Sequence, residues 1–305
     1  LFRSVESSGP GARGVLKIFK NKELFARWIQ LGSLMPFFRV HTALLSYSQE
    51  PWSFGEEVLA ISRKHMKRRY RLLPYIYQLA RESHETGSPM VRPLFYEFPD
   101  FKACDDQFML GSALLAAPVL SPGMSSRLVH LPPGDWYEYE TGMLYSGNSQ
   151  HEFELQPGYY PLFVKAGTIL PVCTASRNAE ESLKGSAGLE IYPAEKMRGT
   201  LFYDDLSSES SPIFKQEIAG ERLHNGNLQL TTRTMESSME PPVKERTLRL
   251  PAQYRTMIKN GQRRDGEAIH LIREDRNIEK QVFKVSMGVL SCKIPPLKGG
   301  RDLRD

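Results

Sequence analysis

The longest periodic segment of the sequence contains Arg-Tyr-Arg-Leu-Leu-Pro-Tyr-Ile-Tyr, residues 69–77. Apolar side chains recur along it at spacings of four and three residues, which is typical of one face of an α-helix. This predicted apolar stripe consists of Met66, Tyr70, Leu73, Tyr77 and Ala80. We predict a helix from near Glu56 to near Glu85, kinked at Pro74 because proline lacks a backbone donor. The turn residues 87–89 (Gly-Ser-Pro) should end it.

The segment before this helix predicts a shorter helix and a short strand. Asn21 is a suitable N-cap for a helix that ends at Gly32. Its predicted apolar stripe consists of Leu24, Trp28 and Leu31. Residues 36–41 (Pro-Phe-Phe-Arg-Val-His) are a candidate strand. Because side chains alternate between the two faces of a strand, Arg39 and His41 should project from the same face.

From about residue 90 the sequence changes to short β-rich runs separated by turns rich in proline and glycine. The first candidate strands are Met90–Phe95, Ala113–Leu120, Leu128–Leu131, Trp136–Tyr139, Tyr160–Val164 and Thr168–Val172. The later ones are Gly188–Tyr192, Gly199–Tyr203, Leu228–Thr232, Thr247–Leu250 and Gln281–Val285. A linker is predicted at 174–187, an exposed loop at 233–244 and a frayed tail at 298–305. Short strands with regular turns are typical of β-sandwiches.

Composition excludes several classes of protein. The 305 residues are 40% hydrophobic and 25% charged, with a formal net charge of +5, which is globular rather than fibrous or disordered. No apolar stretch approaches the roughly 20 residues of a membrane helix. Cys104, Cys173 and Cys292 are widely spaced and form no Cys/His cluster, so we predict no metal site. One disulfide among the three stays an open alternative.

An ordered series of motifs over residues 22–172 is similar to that of family 31 glycoside hydrolases, which are retaining α-glucosidases. The matching stretches are residues 23–32, 36–41, 50–54, 69–77, 87–89, 92–95, 107–111, 117–119, 131–137 and 167–171. Residues 201–205 (Leu-Phe-Tyr-Asp-Asp) resemble a tyrosine-acid-acid turn of the same family. The resemblance is weak after residue 172.

The resemblance implies a mixed α and β fold. Residues 1–89 would be the terminal part of a (β/α)8 barrel, 90–173 a proximal β-sandwich, and 174–305 a distal β-sandwich with a flexible linker and tail. Active sites of such barrels lie at the carboxyl ends of the strands. Arg39 and His41 match family positions that contact the sugar, where their N–H groups donate to hydroxyls. The implied partner is an α-linked glucoside or oligosaccharide, and no cofactor is implied.

Catalysis in this family requires residues that the chain does not contain. Retaining glycosidases use two carboxyl groups about 5–5.5 Å apart, one as nucleophile and one as acid/base. In the family both are aspartates, and the nucleophile lies in a Trp-x-Asp-Met-Asn-like strand end, a motif absent from the 305 residues. We therefore assign no catalytic residue and expect no hydrolysis by this chain alone. The alternative function is a non-catalytic β-sandwich protein that binds carbohydrate or acts as a scaffold.

Four other features favour structural roles. The basic run at 64–69 is predicted to be a solvated helix face rather than a nucleic-acid site, because no aromatic side chains interleave with its charges. Asp204 and Asp205 supply too few oxygens for calcium, so a turn is predicted there. Trp136 is expected in a sandwich core. Trp52 is expected to pack its loop rather than to line a sugar site.

Overall fold

The structure is a computed structural model, and it describes residues 21–41, 48–173, 176–184, 187–207, 211–222, 228–240, 246–249, 270–275, 278–283 and 290–292. The helices in these ranges are α1 (Lys22–Gly32), α2 (Glu56–Thr86), α3 (Leu94–Glu97) and α4 (Ala179–Lys184), with a 3-10 turn at Pro51–Phe54. The first strands are β1 (Val91–Pro93), β2 (Phe108–Leu110), β3 (Leu114–Ala116), β4 (Ser126–Leu131), β5 (Asp135–Glu138), β6 (Leu144–Ser146), β7 (Ser149–Glu154), β8 (Leu162–Lys165) and β9 (Ile169–Cys173). The later strands are β10 (Ala187–Ile191), β11 (Lys196–Asp204), β12 (Ile213–Arg222), β13 (Leu228–Ser237), β14 (Arg246–Arg249), β15 (His270–Asp275), β16 (Ile278–Phe283) and β17 (Leu290–Cys292).

The strands form four sheets. An antiparallel six-stranded sheet has the order β1-β2-β3-β8-β5-β6, and β4 pairs separately with β7. Strand β9 belongs instead to a mixed sheet of order β17-β14-β10-β9, in which β10 and β14 are parallel. The remaining sheet has five strands in the order β11-β12-β13-β16-β15 and is antiparallel throughout. Strand β9 therefore joins the first β-rich region to the second by backbone hydrogen bonds.

Helix α1 begins at the predicted cap but buries a different face. Asn21 Oδ1 accepts a hydrogen bond from the Leu24 N–H at 2.9 Å. The predicted stripe is wrong, since Leu24 and Trp28 are 47% and 39% exposed. The buried cluster beside α1 consists of Phe25, Ile29, Phe54 and Val58. The rings of Phe25 and Phe54 stack with centroids 4.0 Å apart, so the next segment of chain selects the buried face.

Helix α2 has the predicted extent and continues through Pro74. Gly87 caps it at φ +75°, a left-handed conformation that glycine adopts at no steric cost, and its N–H donates to the Ser83 carbonyl. The predicted stripe is again wrong. The buried residues are Val58, Ser62, His65, Arg68, Leu72, Tyr75, Ile76 and Leu79. The basic run thus contributes two side chains to the interior, while Lys64 and Lys67 stay exposed as predicted.

His65 and Arg68 are buried, and the loop before β8 supplies partners for His65 Nε2 and Arg68 Nη2, whereas Arg68 Nε and Nη1 have no hydrogen-bond partner among the described residues. Arg68 Nη2 donates to His65 Nδ1 at 2.7 Å and to the Tyr160 hydroxyl at 2.6 Å. An arginine can only donate, so Nδ1 accepts and the Nε2–H of neutral His65 donates to the Gly158 carbonyl at 3.0 Å. Burial, followed by the adjacent Arg68 charge, lowers the pKa of His65 to about 3. This buried polar network fastens α2 to residues 158–160.

The β-rich part buries large aromatic side chains completely. Trp136 on β5 has no exposed surface, and its Nε1–H donates to the Pro132 carbonyl at 2.9 Å, which confirms its predicted core position. Its neighbours in this core are Leu94, Met109, Leu115, Ala117, Val129, Leu131 and Phe163. Burying each such side chain is worth about 1.5–3 kcal/mol relative to leaving it in water. The first β-rich region therefore has a core of its own.

Several predicted strands are confirmed with shifted bounds, and the structure also contains strands that the sequence did not predict. Strands β2, β6, β7, β12, β15 and β17 were not predicted. Strand β7 reads Ser-Gln-His-Glu-Phe-Glu and is half exposed, so its polar side chains hide the strand pattern. The loop predicted at 233–244 is wrong at its start, because β13 continues to Ser237 along β12. The predicted linker contains α4, and the predicted tail lies outside the described residues.

Candidate functional site

The segment after α1 is anchored against the end of that helix. The Ser33 N–H donates to the carbonyls of Ile29 and Leu31, which closes the last turn. The ring of Phe38 then lies directly on Gly32, where an added Cβ would come within 2.4 Å of two ring carbons. A side chain at position 32 would force the Phe38 ring to move, because the ring occupies the space of a Cβ there. The contact fixes the position of Phe38, the residue directly before Arg39, relative to α1.

Arg69 on α2 holds the same segment through its backbone. Its Nη1 donates to the carbonyls of Ser33 at 3.1 Å and Met35 at 2.6 Å, and its Nη2 donates to that of Pro36 at 3.0 Å. The guanidinium carbon also lies 5.7 Å from the centroid of the Phe38 ring, within cation–π range. Burial lowers the pKa of Arg69 from its usual value. One side chain therefore fixes residues 33–38.

Arg39 and His41 are exposed neighbours on the segment that Arg69 holds. Arg39 Nη2 donates to His41 Nδ1 at 3.0 Å, so a neutral His41 carries its proton on Nε2. Both side chains are exposed, and their other N–H groups are hydrogen-bond donors, which suits hydroxyl or carboxylate acceptors. The predicted strand at 36–41 is wrong, because no described strand pairs with it to form a ladder. The two side chains are nevertheless brought together.

Apolar side chains of the same region are exposed. Phe37 is 79% exposed, and Trp52, on the 3-10 turn, is 67% exposed. The expectation that Trp52 packs its loop is therefore wrong; Phe54, two residues later, turns inward and does the packing. An exposed indole offers an apolar face together with an N–H donor, a combination that suits amphipathic ligands.

The acidic pair at Asp204 and Asp205 forms the predicted turn. Asp204 Oδ1 accepts from the Leu206 N–H at 2.9 Å, and Asp205 Oδ1 accepts from the Ser207 N–H at 2.9 Å. The hydroxyl of Tyr77 donates to Asp204 Oδ2 at 2.6 Å, which ties this turn to α2. Among the described residues no group of three His, Cys, Asp or Glu side chains is arranged to hold a metal ion. Nor does any helix in those ranges have the length and apolarity to cross a membrane.

Two family models match the chain, and one of them covers this site. Residues 15–79 match the TIM-barrel domain of "Glycosyl hydrolases family 31", and residues 87–170 match the "Glycosyl hydrolase family 31 C-terminal domain". Over these two segments the chain is similar to glycoside hydrolase family 31. Arg39, His41 and Arg69 all lie within the barrel-domain match.

Curated relatives of the chain include hydrolases and a transferase. It is 36% identical over 189 residues to alpha-glucosidase 2 of Bacillus thermoamyloliquefaciens, a match that covers 61% of this chain and 24% of the relative. It is 30% identical over 250 residues to a 1,6-alpha-glucosyltransferase of Sporosarcina globispora, covering 79% of this chain and 19% of the relative. An alpha-xylosidase of Saccharolobus solfataricus is 33% identical over 187 residues, with coverages of 60% and 25%. The chain therefore spans about a quarter or less of the length of these relatives.

Solved structures of the family have a similar fold. A GH31 dextranase from Flavobacterium johnsoniae, complexed with glucose, superposes with a TM-score of 0.72 at 26% identity, over 86% of this chain and 36% of that one. A GH31 alpha-xylosidase from Xanthomonas citri gives a TM-score of 0.66 at 27% identity, over 75% and 26% of the two chains. The chain thus contains part of a family 31 TIM-barrel domain and the family's C-terminal domain, with many strands and few helices.

Sequence reasoning missed Arg69 as part of the site. It lies in the Arg-Tyr-Arg-Leu-Leu-Pro-Tyr-Ile-Tyr motif, but its charge placed it in the basic run that was assigned to a solvated face. Its acceptors are backbone carbonyls 33 to 36 residues earlier, and carbonyls are common to every residue type. The motif could therefore be recognised in the sequence, but the hydrogen bonds of its first residue, Arg69, could not be predicted from it.

Proposed function

We propose that this chain supplies the C-terminal portion of a retaining α-glucosidase-like hydrolase, which cleaves O-glycosyl bonds in carbohydrate metabolism. The proposed domains are a barrel end over residues 1–89, a proximal β-sandwich over 90–173 and a distal β-sandwich over 174–305. The observation that carries the proposal is the exposed Arg39–His41 pair, held 3.0 Å apart within the barrel-domain match. The names of the glucosidase and xylosidase relatives give further support.

In this proposal Arg39 and His41 bind the sugar rather than react with it. Their free N–H groups donate to ring hydroxyls and so orient the substrate. Arg69 contributes indirectly, since its bonds to the carbonyls of residues 33, 35 and 36 keep that segment from shifting. Misplacing such a group by about 1 Å can cost about 100-fold in rate. The intact enzyme would act on an α-linked glucoside or oligosaccharide without a cofactor.

The role of Arg39 and His41 is tested in the longest natural protein that contains this sequence. We expect Arg39→Ala and His41→Ala each to lower kcat/KM for an α-glucoside by about 100-fold, because orientation of the ring is lost. Arg63→Ala is the matched control, since Arg63 is an exposed arginine on α2 outside the site. Unchanged kcat/KM in the Arg39 and His41 variants would remove the sugar-binding assignment.

The chain alone is proposed to be inactive. Retaining hydrolysis needs two carboxyl groups about 5–5.5 Å apart, and the Trp-x-Asp-Met-Asn-like strand end does not occur in the 305 residues. Incubating the purified chain with p-nitrophenyl α-D-glucopyranoside should release no nitrophenolate above the uncatalysed rate. Turnover that follows the chain through successive purification steps would overturn this.

The second candidate is a non-catalytic carbohydrate-binding or scaffold protein. The absence of the nucleophile motif from these residues is the observation that favours it. The coding sequence on the 5′ side of the Leu1 codon separates the two candidates. An in-frame Trp-x-Asp strand end with a second aspartate supports the hydrolase, whereas a message without them supports the non-catalytic protein.

A further inference from the structure

A polar cleft of about 270 Å³ lies where α2 meets β9, β11 and β12. Its polar lining includes Gln78, Glu82, Thr168, Arg198, Thr200 and Glu217. None of the cleft residues belongs to the segment that holds Arg39 and His41. The volume lies just below the roughly 300–1,000 Å³ that is usual for small-molecule sites, so the occupant would be about one ring in size.

The cleft contains opposite charges that do not neutralise each other. Arg198 lies opposite Ala219 and Thr200 opposite Glu217 in the β11–β12 ladder, so all four project from one face of the sheet. Arg198 and Glu217 are diagonal neighbours there, a relationship that spans about 7–8 Å. In the ranges that the structure covers, neither forms an ion pair. A donor group and an acceptor group therefore flank a gap.

An unpartnered buried oxygen points independently to a ligand. The Oε1 atom of Gln78 is shielded from solvent, and no described group donates a hydrogen bond to it. Such an oxygen is costly unless something else donates to it. Glu82, one turn further along α2, is held by Arg92, whose Nη2 donates to Glu82 Oε1 at 2.6 Å. The helix thus adds two acceptors to the cleft.

We propose that this cleft binds one ring of a saccharide. Sugar hydroxyls both donate and accept, so they match carboxylate and carboxamide acceptors on one side and a guanidinium with threonine hydroxyls on the other. Ile169 and Pro171 supply an apolar wall for the C–H face of the ring. Two carboxylates disfavour an anionic ligand, and the unpaired Arg198 disfavours a cationic one. A neutral polyhydroxylated ring satisfies all of these groups.

Ligand-observed saturation-transfer NMR tests the proposal, with the purified 305-residue chain and methyl α-D-glucopyranoside as the probe. The wild type should transfer saturation to the ring protons. Arg198→Ala and Glu217→Gln should each weaken binding about tenfold. Lys196→Ala is the matched control, because Lys196 is an exposed cation on the same face of β11 and lies outside the cleft. It should bind as the wild type does.

Gln78→Leu separates binding from folding. Because Oε1 of Gln78 accepts from no described group in the free protein, its removal should leave the thermal midpoint unchanged or raise it, while binding still weakens. Three results would overturn the proposal: no transfer to the wild type, equal transfer in the wild type and the Arg198 variant, or displacement of the probe by glycine, which would mark a zwitterion site. The experiment also distinguishes the cleft from the Arg39–His41 pair. If Arg39→Ala abolishes saturation transfer and the cleft variants do not, the probe binds at the Arg39–His41 pair and the cleft proposal is wrong.

Discussion

Two exposed aromatic side chains near the Arg39–His41 pair contrast with two buried ones in the first β-rich region. Between residues 33 and 54, Phe37 and Trp52 lie largely in solvent, whereas Trp136 and Phe163 in the β-rich region are fully buried. The segment at residues 33–38 is held mainly by polar contacts from Arg69, and the β-rich region by close packing. If the proposed sugar contact lies at the Arg39–His41 pair, stability and ligand binding depend on different parts of this chain, and substitutions should separate them.

The largest effect is expected in the β-rich core. Trp136→Ala removes a fully buried indole and the shorter of the two hydrogen bonds that the Pro132 carbonyl accepts, leaving only that from the Asn148 N–H at 3.4 Å. We expect a loss of about 3–5 kcal/mol in the free energy of unfolding, which urea denaturation followed by circular dichroism measures. A loss below about 1 kcal/mol would mean that this core is not the main source of stability, and the comparison would fail.

Acidification should weaken the buried polar network of His65 and Arg68, which joins α2 to residues 158–160. The native pKa of His65 is about 3, below the unfolded value of 6.5, so the unfolded chain binds more protons between these pH values. Stability is therefore complete above pH 6.5 and falls as pH decreases towards 3, by about 2 kcal/mol between pH 6.5 and 4.5.

His65→Gln should flatten this part of the stability profile, because glutamine stays neutral and can still donate to the Gly158 carbonyl. His84→Gln, at an exposed position in the last turn of α2, is the control and should keep the wild-type slope. Urea midpoints measured at half-unit steps of pH give the comparison. Parallel profiles for all three proteins would rule out His65 as the source.

A smaller effect is expected where Arg69 holds residues 33–38. Arg69→Met keeps much of the stem but removes three donated hydrogen bonds, at a cost of about 1–2 kcal/mol. The loss should be local, so hydrogen exchange followed by mass spectrometry should become faster at residues 33–41 and stay unchanged in β5 and β8. Arg63→Met, on the exposed face of the same helix, should change neither. Faster exchange throughout the chain would point to a global role instead.

The smallest effect is expected at Trp52. Its side chain is 67% exposed, so Trp52→Ala should change the free energy of unfolding by no more than about 0.5 kcal/mol. The same urea experiment as for Trp136→Ala gives a direct contrast between two tryptophans in one chain. Equal losses for the two would erase the difference between the regions.

Local signals in the sequence predicted the ends of the helices, and distant contacts decided which faces they bury. Asn21 and Gly87 act within one turn of their own helices, so their roles could be predicted. The buried face of α2 could not, because the buried His65 donates to a carbonyl 93 residues later in the sequence. The strand expected at 36–41 failed for a similar reason, since a strand exists only beside a partner.

The candidate sites differ in the same way. Arg39 and His41 could be proposed as a pair from the sequence, because they stand two residues apart in a stretch that resembles family 31, and their role in binding stays a prediction. The Arg198–Glu217 cleft could not, because α2, β9, β11 and β12 contribute to it from positions over about 140 residues of sequence. Because these polar side chains are so far apart in the sequence, no short motif with a fixed spacing contains them.

The loop at residues 158–160 sets a rule for exchanging segments between related proteins. Gly158 accepts from His65, the Tyr159 carbonyl accepts from Arg27 Nη1 at 3.5 Å, and Tyr160 accepts from Arg68. A crossover at Gly87 would take the donors from one parent and the acceptors from another. A working chimera therefore has to inherit α1, α2 and this loop together, although some 70 residues separate the end of α2 from the loop in the sequence.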